Sequence, residues 1–346
     1  MRRATSFAAR AWHSGRMRAI SYGVTITEQF LRTHDGWSLQ LRKTVSPDHL
    51  DPSAAPLLIV PGYGMNNFIF GYHPRGTSLE RCLAEGGFEV WSMNLRHQGE
   101  SRPARPRAGA ISLHAYATID VPAAIEHVLA HTRSSATTLT LVGASLGGTI
   151  SYGYLALHRK TPVRSLVTMG SPLRWDDVHP LVRIALGSPT LAGAIPIRGA
   201  RPLLRNALPT LQKFPALLGF YMNPDTIDLE SVAELTRTVE DPHPAINRDI
   251  ATWLKSRDLE LAGVNITHAL RDLELPLLIV LSNRDGMVPE ATAMSAASAW
   301  GGAVEVLRVG DERNWFAHAN LFVANDAREL VFEPMIEWLR RQAKSA

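Results

Sequence analysis

Residues 138–148 read Thr-Leu-Thr-Leu-Val-Gly-Ala-Ser-Leu-Gly-Gly. An apolar, β-branched run leads into Gly143, and a helix-compatible run starts just past Gly147. Ser145 therefore stands at a sharp strand-to-helix turn. Such a turn strains the serine backbone and brings Gly143 and Gly147 close to neighbouring chain, where a Cβ would clash. It also exposes the hydroxyl at a helix N-terminus, with the Leu146 amide aimed at any oxyanion formed above it. The chemistry is that of an oxygen nucleophile. A bare Gly-x-Ser-x-Gly match arises by chance in about one chain of this length in ten, so the partners must decide between a nucleophile and an inert turn serine.

A hydroxyl needs a base, and the base needs an orienting acid. On an open α/β sheet their chain order is serine, acid, histidine. Of thirteen histidines, only His318 follows the last strong strand end. It lies in Phe316-Ala317-His318-Ala319-Asn320-Leu321-Phe322, between the final strand and the final helix. Asp285 follows the apolar run 276–281 and is the expected acid; the bland reading is a turn aspartate bonding its own backbone. Asp311 competes, one strand later but close in sequence to His318. Asp249, Asp258 and Asp272 precede the strand and rank lower. The second oxyanion donor is expected after the run 56–60, in Pro61-Gly62-Tyr63-Gly64, as the backbone N–H of Tyr63, with Gly64 the alternative. His97 is read as a loop-packing residue, and no role is given to Tyr72 or His73.

The elements that must hold these residues alternate. Apolar runs at 56–60, 88–93, 139–142, 163–169, 276–281 and 304–309 alternate with helical patterns at 77–85, 112–131, 149–157 and 326–342. An Asp35-Gly36 hairpin lies in 28–45. Alternation of this kind predicts an α/β fold with a mostly parallel twisted sheet, helices on both faces, and a site at the carboxyl ends of the strands. Tyr63, Asn94 and Ser145 all follow strand ends and are expected in one crevice. The alternation lapses over 173–264, which is rich in Leu, Pro and Arg and reads as a helical cap or lid insertion. Its apolar residues serve either as helix-packing core or as an acyl-binding lining. The expected division is a basic tail over 1–24, a core over 25–172 and 265–346, and the insertion between.

Composition sets the remaining bounds. The chain has 346 residues, is 45% hydrophobic and carries a formal net charge of +4. The excess is small and scattered, which argues against nucleic acid; a transient contact with a membrane surface is compatible with it. The single cysteine, Cys82, sits at helical spacing among leucines and reads as buried and structural. No apolar run is long enough to span a bilayer. The Arg-rich N-terminus lacks the apolar centre of a secretory signal, so a cytoplasmic location is expected, with organellar targeting the alternative. No cofactor or metal is called for.

With these residues placed, the chain resembles the α/β-hydrolase superfamily over about 28–342. Gly143-Ala144-Ser145-Leu146-Gly147, Asp285-Gly286-Met287-Val288-Pro289 and the His318–Phe322 stretch each resemble a family motif. The loop 94–101 is similar to the family's Asp-x-Arg-Gly-x-Gly-x-Ser, with Asn94 and His97 as departures. The resemblance implies a cofactor-free Ser-His-Asp enzyme with a cap over the site. Within the superfamily, 56–101 and 241–289 look similar to the branch of acid lipases and polyhydroxyalkanoate synthases. Those synthases carry cysteine at the turn, so Ser145 favours hydrolysis. The expected activity is cleavage of a small or lipid-like carboxylic ester with an apolar acyl group. The alternatives are an acyltransferase or polyester synthase on the same three residues, and a binding protein that retains the fold. Oligomeric state is not legible.

Overall fold

Uninterrupted apolar runs become the middle of one sheet. The computed structural model describes residues 16–21, 23–194, 198–211, 218–228 and 232–344. In chain order the strands are β1 (Arg16–Ser21), β2 (Val24–Arg32), β3 (Trp37–Val45), β4 (Leu57–Val60), β5 (Val90–Met93), β6 (Arg102–Pro103), β7 (Leu139–Ala144), β8 (Val163–Met169), β9 (Glu260–Leu261), β10 (Val264–Asn265), β11 (Leu277–Ser282) and β12 (Val304–Val309). The main sheet runs β1-β2-β3-β5-β4-β7-β8-β11-β12, with β6 beside β3. Pairings from β5 to β12 are parallel, and those joining β1, β2, β3 and β5 are antiparallel. Every residue of β4, β5, β7 and β11 is buried, as expected of parallel strands covered on both faces.

The two faces follow from the period of two along each strand. Leu58 and Val60 of β4, Leu139 and Leu141 of β7, and Ile279 and Leu281 of β11 join a core with helices Val121–His131 and Leu146–Leu157. Their neighbours Leu57, Ile59, Val142, Ala144, Leu278 and Val280 join a second core with helices Leu79–Glu85 and Glu333–Lys344. From β4 the chain crosses to β5 on one side and returns past β4 to β7 on the other. Strand order thus reverses beside β4, and the loops after β4 and β7 flank the crevice that such a reversal opens.

Between β8 and β11 the chain builds helices Pro180–Leu186, Pro189–Ala194, Ala200–Leu211 and Pro244–Ser256. The two ends of this excursion are pinned together. Arg174 forms a bridge with Asp258, and the Trp175 amide donates to the Arg257 carbonyl at 3.0 Å. The short β9–β10 hairpin then sends Leu259 and Leu261 back into the core of the sheet.

At the other end of the chain, the basic composition of 1–24 conceals a strand. Residues 16–21 pair antiparallel with β2, from Arg16 opposite Glu28 to Ser21 opposite Val24. Gly23, at φ +79°, makes the turn. The reason is tertiary: β2 would otherwise be an open edge, and any extended chain can satisfy its backbone groups. Residues 1–15 lie outside the described structure.

The helical stretch 112–131 is interrupted by a wider π turn at Tyr116–Asp120, and the last helix is preceded by another at Arg328–Phe332. Pro122 and Pro334 lie just beyond these turns. Each lacks the N–H that would close an ordinary α turn.

Candidate active site

The turn at Ser145 has the strain its spacing demands. Ser145 has φ 52° and ψ −122°, between the last residue of β7 and the first of helix Leu146–Leu157. Its amide donates to the Met169 carbonyl at 2.8 Å, which ties the turn to β8. A Cβ on Gly147 would land on the Val60 carbonyl, and one on Gly143 would strike Gly148. Glycine is required at both places because backbone, which cannot move aside, fills the space.

Residues 173 positions apart meet at this turn. The Ser145 Oγ lies 2.9 Å from Nε2 of His318, and His318 Nδ1 lies 2.7 Å from Oδ2 of Asp285. The other carboxylate oxygen, Oδ1, accepts the amides of Met287 and Val288, each at 2.8 Å. The loop after β11 thereby fixes the carboxylate, and the carboxylate fixes the ring. All three side chains are buried: Ser145 is 9% and His318 2% exposed, and the Asp285 side chain is 2% exposed. Asp311 stands elsewhere. Its carboxylate accepts the Arg313 and Asn314 amides of its own exposed turn, which hold it below the usual carboxylate range.

The His318 loop is held by residues with no signature in the sequence. Asn320 Oδ1 accepts the amides of Ala317 (3.1 Å) and Asn223 (2.7 Å), and its Nδ2 donates to Thr226 Oγ1 at 2.7 Å. Asn223 Nδ2 donates to the Trp315 carbonyl at 2.8 Å. Residues 223 and 226 belong to the insertion, so the insertion braces the histidine loop. The Tyr221 ring centroid stands 6.0 Å from that of His318. Burial pushes the Tyr221 phenol up to about 12, with the Asp285 charge adding to it.

The loop after β4 lies against the serine: a Cβ on Gly62 would sit 2.9 Å from that of Ser145. Gln98 Nε2 donates to the Gly62 carbonyl at 3.0 Å and fixes the loop. Among the described residues, no backbone partner takes the amide of Tyr63 or of Leu146. Both residues line the cavity at Ser145; Gly64 does not, lining instead a smaller pocket that shares Tyr63 and Leu146 with it.

Asn94 departs from the expected crevice. It is buried away from the cavity, accepting the Asn67 amide at 2.8 Å and donating to Gln40 Oε1 at 2.7 Å. A residue at a strand end can brace a loop as readily as face a ligand. His97, at φ 71°, packs its ring 5.0 Å from that of His243 and does not join the serine. His73 is buried, with Nδ1 3.0 Å from Thr77 Oγ1.

Above Ser145 lies a cavity of about 530 Å³. Its walls are Trp175, Leu186, Phe220, Ile250 and Trp253 from the insertion and Val288 from the loop after β11. Besides Ser145, two further polar residues line it, Tyr63 and Asn247: the Tyr63 hydroxyl donates to Asn247 Oδ1 at 2.7 Å, and burial pushes that phenol up to about 12. No cluster of three or more metal-ligating side chains occurs among the described residues.

A serine at a glycine-flanked turn, on a sheet of this strand order and beneath a helical insertion, can be compared with known proteins. No curated protein matches the chain. Solved structures align along nearly the whole length at low identity. An esterase from Rhodococcus sp. is 18% identical with TM-score 0.58, covering 92% of this chain and 98% of the other. An esterase from Exiguobacterium antarcticum is 18% identical with TM-score 0.57, covering 90% and 99%. A hydrolase from Pseudomonas aeruginosa is 16% identical with TM-score 0.58, covering 92% and 98%. These likenesses concern the fold. A family profile described as alpha/beta hydrolase fold matches residues 55–332, from the entry to β4 through the π turn before the last helix. With that match over most of its length, the chain belongs to the α/β hydrolase fold family.

Proposed function

We propose that the protein is a serine hydrolase that cleaves carboxylic esters with an apolar acyl group. The observation that carries this reading is the unbroken hydrogen-bond chain from Ser145 through His318 to Asp285, opening on a cavity walled by apolar side chains.

In this reading Ser145 Oγ attacks the acyl carbon as His318 Nε2 takes its proton. Asp285 orients the ring through Nδ1–H and stabilises the imidazolium. The tetrahedral oxyanion accepts the amides of Leu146 and Tyr63, each contributing about 3 kcal/mol at the transition state. Collapse breaks the ester C–O bond, and the imidazolium returns its proton to the departing alcohol. Water then attacks the acyl-enzyme with His318 as base, the second collapse frees the acid, and Ser145 regains its proton. Turnover by this route takes water, rather than a second alcohol, as the acceptor of the acyl group. The test is Ser145→Ala assayed on p-nitrophenyl esters of graded acyl length. A fall in kcat of about 10⁴-fold or more is expected; activity within a few-fold of the parent overturns the reading.

A further inference from the structure

Around the mouth of the cavity the surface is apolar where a soluble protein's is ordinarily polar. Leu181, Ile184 and Leu191 are 50%, 81% and 62% exposed, and all three line the opening above Ser145. Leu203, on the next helix, is 69% exposed. The charge of the same stretch is one-sided. Residues 178–224 hold Arg183, Arg198, Arg201, Arg205 and Lys213 and no aspartate or glutamate. The four arginines are exposed. Among the described residues only Arg201 of these four has a carboxylate in ion-pair reach, Glu240 at 3.2 Å. The whole chain is nearly charge-balanced at +4, so the local excess comes from the absence of acidic residues in this stretch.

Exposed leucine and isoleucine gain by entering hydrocarbon, and cations without partners gain by meeting anions. An anionic bilayer offers both within one headgroup depth: acyl chains for the apolar side chains and phosphates for the guanidinium groups. We propose that the face formed by helices Pro180–Leu186 and Pro189–Ala194, together with the exposed Arg183 and Arg205, seats on an anionic bilayer surface. The mouth of the cavity then faces the membrane. Surface binding stands independently of ester cleavage; only the corollary, that substrate enters from the bilayer, rests on the proposed function.

The experiment uses full-length Ser145→Ala protein, which keeps the surface and removes the proposed nucleophile, so that vesicle lipids stay intact. Its co-sedimentation is measured with phosphatidylcholine vesicles and with vesicles containing phosphatidylglycerol, at low and high salt. Binding is expected only with the anionic vesicles, weakening as salt rises. Ile184→Glu with Leu191→Glu, and separately Arg183→Glu with Arg205→Glu, are each expected to lower the partition coefficient about tenfold or more. Unchanged circular dichroism establishes that both variants are folded. In the Ser145 background, Arg183→Glu with Arg205→Glu leaves hydrolysis of a soluble acetate ester unchanged. Equal binding to uncharged vesicles, or no loss in either folded variant, overturns the proposal. So does a concentration-dependent dimer, without vesicle binding, that Ile184→Glu abolishes, since a second copy would then cover the face. If Ser145→Ala keeps esterase activity, the functional reading fails while the vesicle result stands.

Discussion

The assignment of the proposed acid turns on one hydrogen bond. Asp285 reaches Nδ1 of His318 at 2.7 Å, while Asp311 is committed to its own turn. Asp285→Asn is therefore expected to lower kcat by about 10⁴-fold through loss of ring orientation, and Asp311→Asn to leave it unchanged. Steady-state kinetics on one p-nitrophenyl ester distinguishes them, and the opposite ranking would move the acid to position 311. The sequence made Asp285 legible through the apolar run before it and its place ahead of His318. It left Asn320 and Asn223 invisible, because an asparagine that clamps a loop looks like any other loop asparagine until its partners are in place.

At the scale of the element, the β7–helix turn is the most constrained piece of backbone. Gly147→Ala would force a methyl onto the Val60 carbonyl, and β4 is buried on every side. A loss of about 3 kcal/mol is expected, read as a lower urea midpoint with unchanged slope. A loss under about 0.5 kcal/mol would show that β4 and the turn can separate. The insertion is an element with a different task. Ile250 and Trp253 of helix Pro244–Ser256 wall the cavity, so Ile250→Trp shortens the space open to an acyl chain. The expected result is a fall of about tenfold in kcat/KM for octanoyl relative to acetyl esters. An unaltered acyl-length profile would place the acyl chain elsewhere. Alternation of strands and helices was readable here because it is written in local periodicity. The π turn that carries Asp120 was not: Asp120 accepts from the buried Arg96 guanidinium, with Nη2 at 2.6 Å, and neither the partner nor the wider turn leaves a local pattern.

At the scale of the whole molecule, stability depends on buried charge that ties elements together. Glu89, just before β5, is 1% exposed and pairs with Lys43 of β3 at 2.8 Å. Burial alone would raise its pKa. The Lys43 ammonium, the Arg133 amide and the Trp91 indole outweigh burial and hold the carboxyl below its ordinary 4.5. A depressed folded-state pKa adds stability that is complete above 4.5 and is lost as pH falls through the lower folded value. Urea unfolding from pH 7 down to pH 3 is expected to show a decline in the acid limb that is shallower in Glu89→Gln. Parallel declines in parent and variant would remove Glu89 from the account. No described helix is long and apolar enough to cross a membrane.

The sequence by itself determined the sheet class, the turn at Ser145, and the chemical types and chain order of the three residues that meet there. These depend on signals a few residues long: apolar runs, glycine spacing, and a histidine after the last strand. Tertiary structure decided that Arg16–Ser21 completes the sheet edge and that Asp285 is the carboxylate on the ring. It also decided that the insertion both braces the His318 loop and walls the cavity. Those outcomes rest on contacts between residues tens to hundreds of positions apart, and such contacts exist only once packing has brought the surfaces together.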